Sequence, residues 1–331
     1  MKFSLIVCTY MRSESLLRLL HSVKSQDLYP DEILIVDGSL DNETETCLKG
    51  SRFDNLVYFR VGEKNRGLTK QRNYGISLVS SKSEIICFLD DDIVLESGYF
   101  NNLISTYNIK PDALAVGGYI TNEVLWQKEV VPKDKSHFYY DGWQRTEPLR
   151  FKMRRYFGLL PDVPPGFMPT FSHGRSISFL PPSNRIYEVE QLMGGVSSYK
   201  KEIFKIFKFS TYFEGYGLYE DADFSLRLAK TGKLYINTVA QLEHYHDDSG
   251  RPNKFKYGKM VIRNGWYVWR VKYATPSIMA KIKWHATAIL LIKIRILNIV
   301  TTSNRNEALI ESFGRIFGWF SLIFNPPKVN Q

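Results

Sequence analysis

The chain has 331 residues, 44% of them hydrophobic, and a formal net charge of +10. That length and apolar content can bury the core of one large or two modest domains and exclude a disordered chain, while the charge favours anionic partners such as nucleotides, nucleic acid or acidic lipid. Cys8, Cys47 and Cys87 have no metal-type spacing, and two lie in apolar strand-like runs; they read as reduced thiols of a cytosolic protein, with no thiol chemistry implied.

The apolar run inside MKFSLIVCTYMRSES is too short for a signal peptide. It reads as a first strand, Phe3 to Cys8, and keeps the catalytic part inside the cell. Beyond a polar turn, Leu16, Leu17, Leu20 and Val23 recur at helical spacing over Ser13 to Gln26, behind serine cap candidates. Glu32 to Asp37 is a second buried strand, Leu56 to Val61 a third, Gly67 to Ser80 a helix, and Ile85 to Leu89 a fourth strand. Strand and helix alternating at this spacing predict an α/β fold, a parallel sheet covered by helices with ligands outside the carboxyl ends of the strands.

Those ends carry Thr9 and Tyr10, then Asp37, then Asp90, Asp91 and Asp92. Three adjacent carboxylates repel and raise one another's pKa unless water or a cation relieves them. Their all-oxygen chemistry points to Mg2+ or Mn2+, with a solvated acidic turn as the plain alternative. No GxGxxG or P-loop follows any of these strands, so phosphate needs another holder, and a metal on the triplet supplies one.

Residues 124–190 are rich in proline, aromatic and basic residues and read as loops and short strands walling a pocket. Within them, SHGRSIS holds His173 and Arg175, for which a surface turn is the better reading than a site. Gly194 and Gly195 in LMGGVSSY allow close backbone approach. In FEGYGLYEDADFSLRLAKTG, Glu220, Asp221 and Asp223 open a helix, where the dipole favours acids. Capping alone would account for them, but a second acidic group far in sequence from the triplet is also what a general base requires. His244 and His246, beside Asp247 and Asp248, could complete a metal shell.

From Ser249 to Asn306 there are twelve basic residues and no acid. Ile278 to Val300 is strongly apolar but interrupted by Lys281, Lys283, Lys293 and Arg295, so no run of about 20 apolar residues spans a bilayer. It reads as a basic amphipathic helix on an anionic membrane surface, with Phe313 to Phe324 a second apolar patch. Nucleic acid competes for such charge; the long apolar faces favour the membrane.

In combination these segments resemble the family 2 glycosyltransferases of GT-A fold, of the bacterial surface-polysaccharide type. SLIVCTYMRSESLLRLLHSVKSQ is similar to that family's first strand, Thr-Tyr turn and helix, and EILIVDGS to its second strand and nucleotide-contacting Asp. KNRGLTKQRNYGI (residues 64–76) resembles its N-x-G…A-R-N-x-G-I signature, FLDDD its D-x-D, and YEDADFSLRLAKTG its E-D-x-D…R…G block. The resemblance covers about residues 1–123 and 192–250. It implies that Thr9, Tyr10, Arg12 and Asp37 hold base and ribose, and that Arg72 and Asn73 line the nucleotide near the diphosphate. It further implies that Asp90 and Asp91 contact the donor, that Asp92 and Asp90 bind Mn2+ or Mg2+, and that Asp221 is the catalytic base. Gly194, Gly195 and Glu220 fall on the acceptor side. Asp41 or Asn42, and His244 or His246, fit the remaining positions equally.

The implied protein is an inverting hexosyltransferase moving a sugar from a nucleotide-diphosphate sugar, UDP-sugar favoured, to a saccharide or lipid-linked saccharide of a surface polysaccharide. Its organisation would be a nucleotide-sugar half (1–123), an acceptor and catalytic-base half (124–250) and a basic helical extension (251–331). It would lie in the cytoplasm at the inner face of the membrane, would not bind nucleic acid, and could oligomerise. A sugar-nucleotide pyrophosphorylase-like nucleotidyltransferase fits less well, because TYMRSES replaces the Gly-rich basic turn after the first strand. A non-catalytic nucleotide-sugar or nucleic-acid-binding protein would leave the two acidic groups unexplained.

Overall fold

The computed structural model describes residues 1–246 and 252–329. The chain divides into two compact units, one made of residues 1–125 and 182–251, the other of residues 126–181 and 252–331. Segment 126–181 therefore groups with the C-terminal helices.

In chain order the strands are β1 (Phe3–Thr9), β2 (Glu32–Asp37), β3 (Leu56–Arg60), β4 (Ile85–Asp90), β5 (Ile93–Leu95), β6 (Ala113–Ile120), β7 (Gln127–Lys128), β8 (His137–Tyr140), β9 (Trp143–Thr146), β10 (Ile186–Val189), β11 (Val196–Lys200) and β12 (Lys233–His244). The α-helices are α1 (Ser13–Lys24), α2 (Glu43–Lys49), α3 (Leu68–Leu78), α4 (Tyr99–Ile109), α5 (Leu149–Tyr156), α6 (Glu220–Leu228), α7 (Lys254–Lys272), α8 (Ile278–Thr301) and α9 (Arg305–Phe324).

The first unit is built on one sheet of order β10-β12-β6-β11-β4-β1-β2-β3, with β5 paired to β12. The run β4-β1-β2-β3 is parallel, as the alternation of strand and helix predicts. β1 is buried almost throughout, which is why it reads as a continuous apolar run with no polar alternation. The apolar stripe of α1, Leu16, Leu19, Leu20 and Val23, packs on this sheet. Its serine cap does not form: Ser13 is the first helical residue, and its hydroxyl bonds Glu43 instead. Register places Thr9 beside Asp37 and Cys8 beside Asp90, so the polar strand ends share one edge.

Past this edge the sheet becomes mixed. β11 runs antiparallel between β4 and β6, starting directly after Gly194 and Gly195, and the Gly195 carbonyl accepts from the Asp90 N–H at 3.0 Å. β12 runs parallel to β6 and ends by pairing with β5, His244 opposite Ile93. That pairing carries a histidine 152 residues distant in sequence to the side of Asp92.

The second unit holds the small sheet β7-β9-β8 together with α5, α7, α8 and α9. α5 was not expected in a stretch read as loops and short strands, since proline on both sides hid its two turns; α7 lies within the expected helical extension. Arg175 is also no surface residue. It is 8% exposed, pairs with Glu147 at 2.9 Å, and lies over the rings of Phe138 and Phe151. His173 packs against Gly265 of α7, where a Cβ would overlap its ring. Helices α7 and α9 approach closely because Gly258 faces the Glu311 carbonyl and Gly314 the Phe255 carbonyl.

All four expected basic interruptions, Lys281, Lys283, Lys293 and Arg295, lie within α8. Lys281 and Lys283 lie near the start of this 24-residue helix, which by length and composition is long and apolar enough to cross a membrane. Ile278, Met279, Ile282, Ile296, Leu297 and Val300 of α8 are exposed, as are Leu309, Ile310, Phe313, Phe317, Phe320, Ile323 and Phe324 of α9.

Candidate active site

The site lies wholly in the first unit and begins with the acidic triplet. Asp91 turns inward: its carboxylate accepts from the Thr9 hydroxyl at 2.7 Å and from Arg12 at 3.1 Å. Burial pushes this carboxyl up to about 7, against the pull of Arg12 and Thr9. Arg12 also lies 3.5 Å from Asp92. The structure thus places Thr9 and Arg12 on the triplet.

Asp90, Asp92 and His244 form a second group whose candidate ligand atoms all lie within 4.8 Å of one another. His244 Nε2 stands 3.1 Å from Asp92, and Nδ1 stands 3.0 Å from Glu123. Burial disfavours the charged ring, but Asp92 and Glu123 outweigh it and raise the imidazolium up to about 10. Two carboxylates and one imidazole nitrogen suit Mn2+ or Mg2+. His246 instead meets Glu123 at 3.1 Å, its side chain 58% exposed. The flanking Asp247 and Asp248 lie outside the described residues.

Asp37 is fully buried at the end of β2. Its oxygens accept from the Ser39 N–H at 2.7 Å and the Tyr58 hydroxyl at 2.8 Å. Tyr10 is exposed beside this strand edge. Asn73 is engaged with backbone, donating to the Phe209 carbonyl at 2.8 Å and accepting from the Phe209 N–H at 3.0 Å. Arg72 is 2% exposed; it forms an ion pair with Glu220 and reaches Asp90 at 3.4 Å. Its guanidinium stays charged and opposes the burial that pushes Glu220 up.

Asp221 opens α6. One oxygen accepts from the Ala222 N–H at 2.7 Å, the other from the Gly194 N–H at 3.3 Å. Burial raises its pKa, while these N–H groups and Arg72 restrain the rise. A Cβ at Gly194 would overlap Glu220 and Arg72, and one at Gly195 would overlap the Asp90 carboxylate. Only glycine lets this turn lie between the two acidic groups. Asp223, fully buried, is ion-paired with Arg227 one turn later at 2.7 Å, a contact that holds the helix. Sequence reasoning missed Glu123, Tyr58 and Asn122, which act through pairings between distant strands; the polar TNE run directly after the apolar segment of β6 was the available signal.

The sheet thus carries one acidic group at its carboxyl edge and a second at a helix start, joined by the Gly194–Gly195 turn. Residues 4–177 match the family described as glycosyl transferase family 2, and the chain belongs to that family. A glucosyl-dolichyl phosphate glucuronosyltransferase of Haloferax volcanii is 33% identical over 140 residues, 40% of this chain and 43% of that protein. A GalNAc(5)-diNAcBac-PP-undecaprenol beta-1,3-glucosyltransferase of Campylobacter jejuni is 29% identical over 109 residues, 32% of this chain and 35% of that protein. The matched region spans less than half the length of either relative. A crystal structure of GalNAc-T7 with UDP, GalNAc and Mn2+ shares the fold at a TM-score of 0.52 and 15% identity, covering 85% of this chain and 53% of that one.

Proposed function

We propose that this chain transfers a sugar from a nucleotide-diphosphate sugar, UDP-linked in the first instance, to a hydroxyl of a saccharide or lipid-linked saccharide, with inversion at the anomeric carbon. The observation that carries the reading is the Gly194–Gly195 turn, which lies against Asp90 on one side and donates to Asp221 on the other. It sets a cation-binding group and a proton acceptor at one place.

In this reading Asp221 takes the proton of the acceptor hydroxyl, whose oxygen attacks the anomeric carbon from the face opposite the nucleotide. Its raised pKa suits a base, since burial makes the carboxylate a better proton acceptor. Asp90, Asp92 and His244 would hold Mn2+ or Mg2+, which when bound neutralises the leaving diphosphate. Arg72 and Arg12 keep the crowded carboxylates in place, and the buried Asp37 holds the Ser39 turn and Tyr58 at the nucleotide edge of the sheet. Gly194 and Gly195 leave room for the Glu220, Arg72 and Asp90 side chains that surround the acceptor side of the site.

Membrane attachment is the second part of the proposal. The basic, acid-free stretch up to Asn306 and the exposed apolar residues of α8 and α9 support docking on an anionic membrane surface. The relatives named for dolichyl phosphate and undecaprenol diphosphate substrates support a lipid-linked acceptor. The test is a panel of UDP-, dTDP- and GDP-sugars with Mn2+, scored for nucleotide release and then for transfer to lipid-linked acceptors. Transfer from one nucleotide class supports the reading; release without transfer to any acceptor argues for a sugar-nucleotide hydrolase, and donor binding without release for a non-catalytic binding protein.

A further inference from the structure

We propose that Glu123 is the positioning residue of the cation site, fixing the His244 ring so that Nε2 faces Asp90 and Asp92. The inference rests on the reading that these three residues take a divalent cation.

Two neighbours just beyond β6 carry it. Asn122 pins the His244 backbone from both directions: its amide donates to the His244 carbonyl at 3.0 Å, and its oxygen accepts from the His244 N–H at 3.0 Å. Glu123 then controls the ring, one carboxylate oxygen lying 3.0 Å from His244 Nδ1 and 3.1 Å from His246 Nε2. The imidazole centroids lie 4.1 Å apart with the rings tilted by 60°, and His246 closes the outer side of the same carboxylate.

An imidazole that ligates a metal through one nitrogen donates the other N–H to an acceptor, and a carboxylate there fixes both the tautomer and the ring plane. With Nδ1–H held by Glu123, a cation at Asp90 and Asp92 would take the place of the Nε2 proton and use that nitrogen's lone pair. The competing arrangement has Glu123, His244 Nδ1 and His246 as ligands, whose atoms are also within 4.8 Å of one another. The two exclude each other: a cation on Nδ1 leaves Nε2 as a donor to Asp92, closing the site on the triplet. The inner site offers two carboxylates against one, and its Asp92 is the most buried of the candidate acids, which favours the inner site.

The test is the affinity for Mn2+, alone and with UDP, followed by electron paramagnetic resonance on the purified full chain without acceptor. Glu123→Ala is expected to weaken Mn2+ binding about 10- to 100-fold. Glu123→Gln should restore most of it, because the amide oxygen still accepts from Nδ1–H, and His246→Ala should stay within about threefold of the parent. Unchanged affinity in Glu123→Ala overturns the positioning role. Equal losses in Glu123→Gln, Glu123→Ala and His246→Ala overturn it in favour of direct ligation by Glu123 and His246. A parent chain that binds no Mn2+ under either condition instead removes the cation reading, and circular dichroism of each variant separates these results from misfolding.

Discussion

Arg72 of α3 and Glu220, the first residue of α6, form an ion pair between side chains only 3% and 5% exposed, 148 residues apart in sequence. The same guanidinium reaches Asp90 at 3.4 Å, joining the triplet to the helix whose second residue is Asp221. Removing one partner of a buried pair strands the other charge and costs about 3–5 kcal/mol. Arg72→Gln is therefore expected to lower stability by that amount in a denaturant titration of the sheet unit, and a loss below about 1 kcal/mol would contradict the pairing.

Gly195→Ala tests the turn on which both acidic groups rest. The added methyl overlaps the Asp90 carboxylate, whose side chain is 42% exposed and can swing outward. The expected result is a folded protein with Mn2+-dependent UDP binding weakened about tenfold or more, measured by calorimetry. Unchanged binding would detach Asp90 from the cation site.

How much of this was legible beforehand has a physical basis. The parallel half of the sheet was readable because β1, β2 and β4 are buried on both faces and give unbroken apolar runs. The acids were readable because they interrupt those runs at strand ends. Glu123 and Asn122 were not, since their partners arrive through the β5–β12 pairing, which no local pattern encodes. Arg175 was misjudged for a related reason: its burial depends on Glu147 and on aromatic faces from β8 and α5.

Acid sensitivity of the second unit is expected from His173. Burial first, then Arg154, Arg150 and Arg315, lower its pKa to about 4 from an ordinary 6.5. Because the folded state keeps the ring neutral, the contribution of His173 is complete above about pH 6.5. It is lost as pH falls from there towards 4, by at most about 3 kcal/mol. Thermal melting from pH 7.5 to 4.5 should show a shallower decline for His173→Gln than for the parent, whereas identical slopes would contradict the assignment.

Membrane attachment is read by flotation with vesicles of neutral or anionic phospholipid. The basic helices predict binding to anionic vesicles that weakens between about 0.05 and 0.5 M salt, as the screening length shrinks. Phe317→Glu with Phe320→Glu on the exposed face of α9 should reduce it further. Binding indifferent to both lipid charge and salt, or none at all, would remove the electrostatic account.

The central claim, that Asp221 takes the acceptor's proton, is tested most directly by Asp221→Asn in a single-turnover transfer assay, run beside a measurement of donor affinity. The account predicts donor binding within a few-fold of the parent and transfer slowed about 10²- to 10⁴-fold. Full transfer rates in Asp221→Asn with a defined acceptor would contradict it.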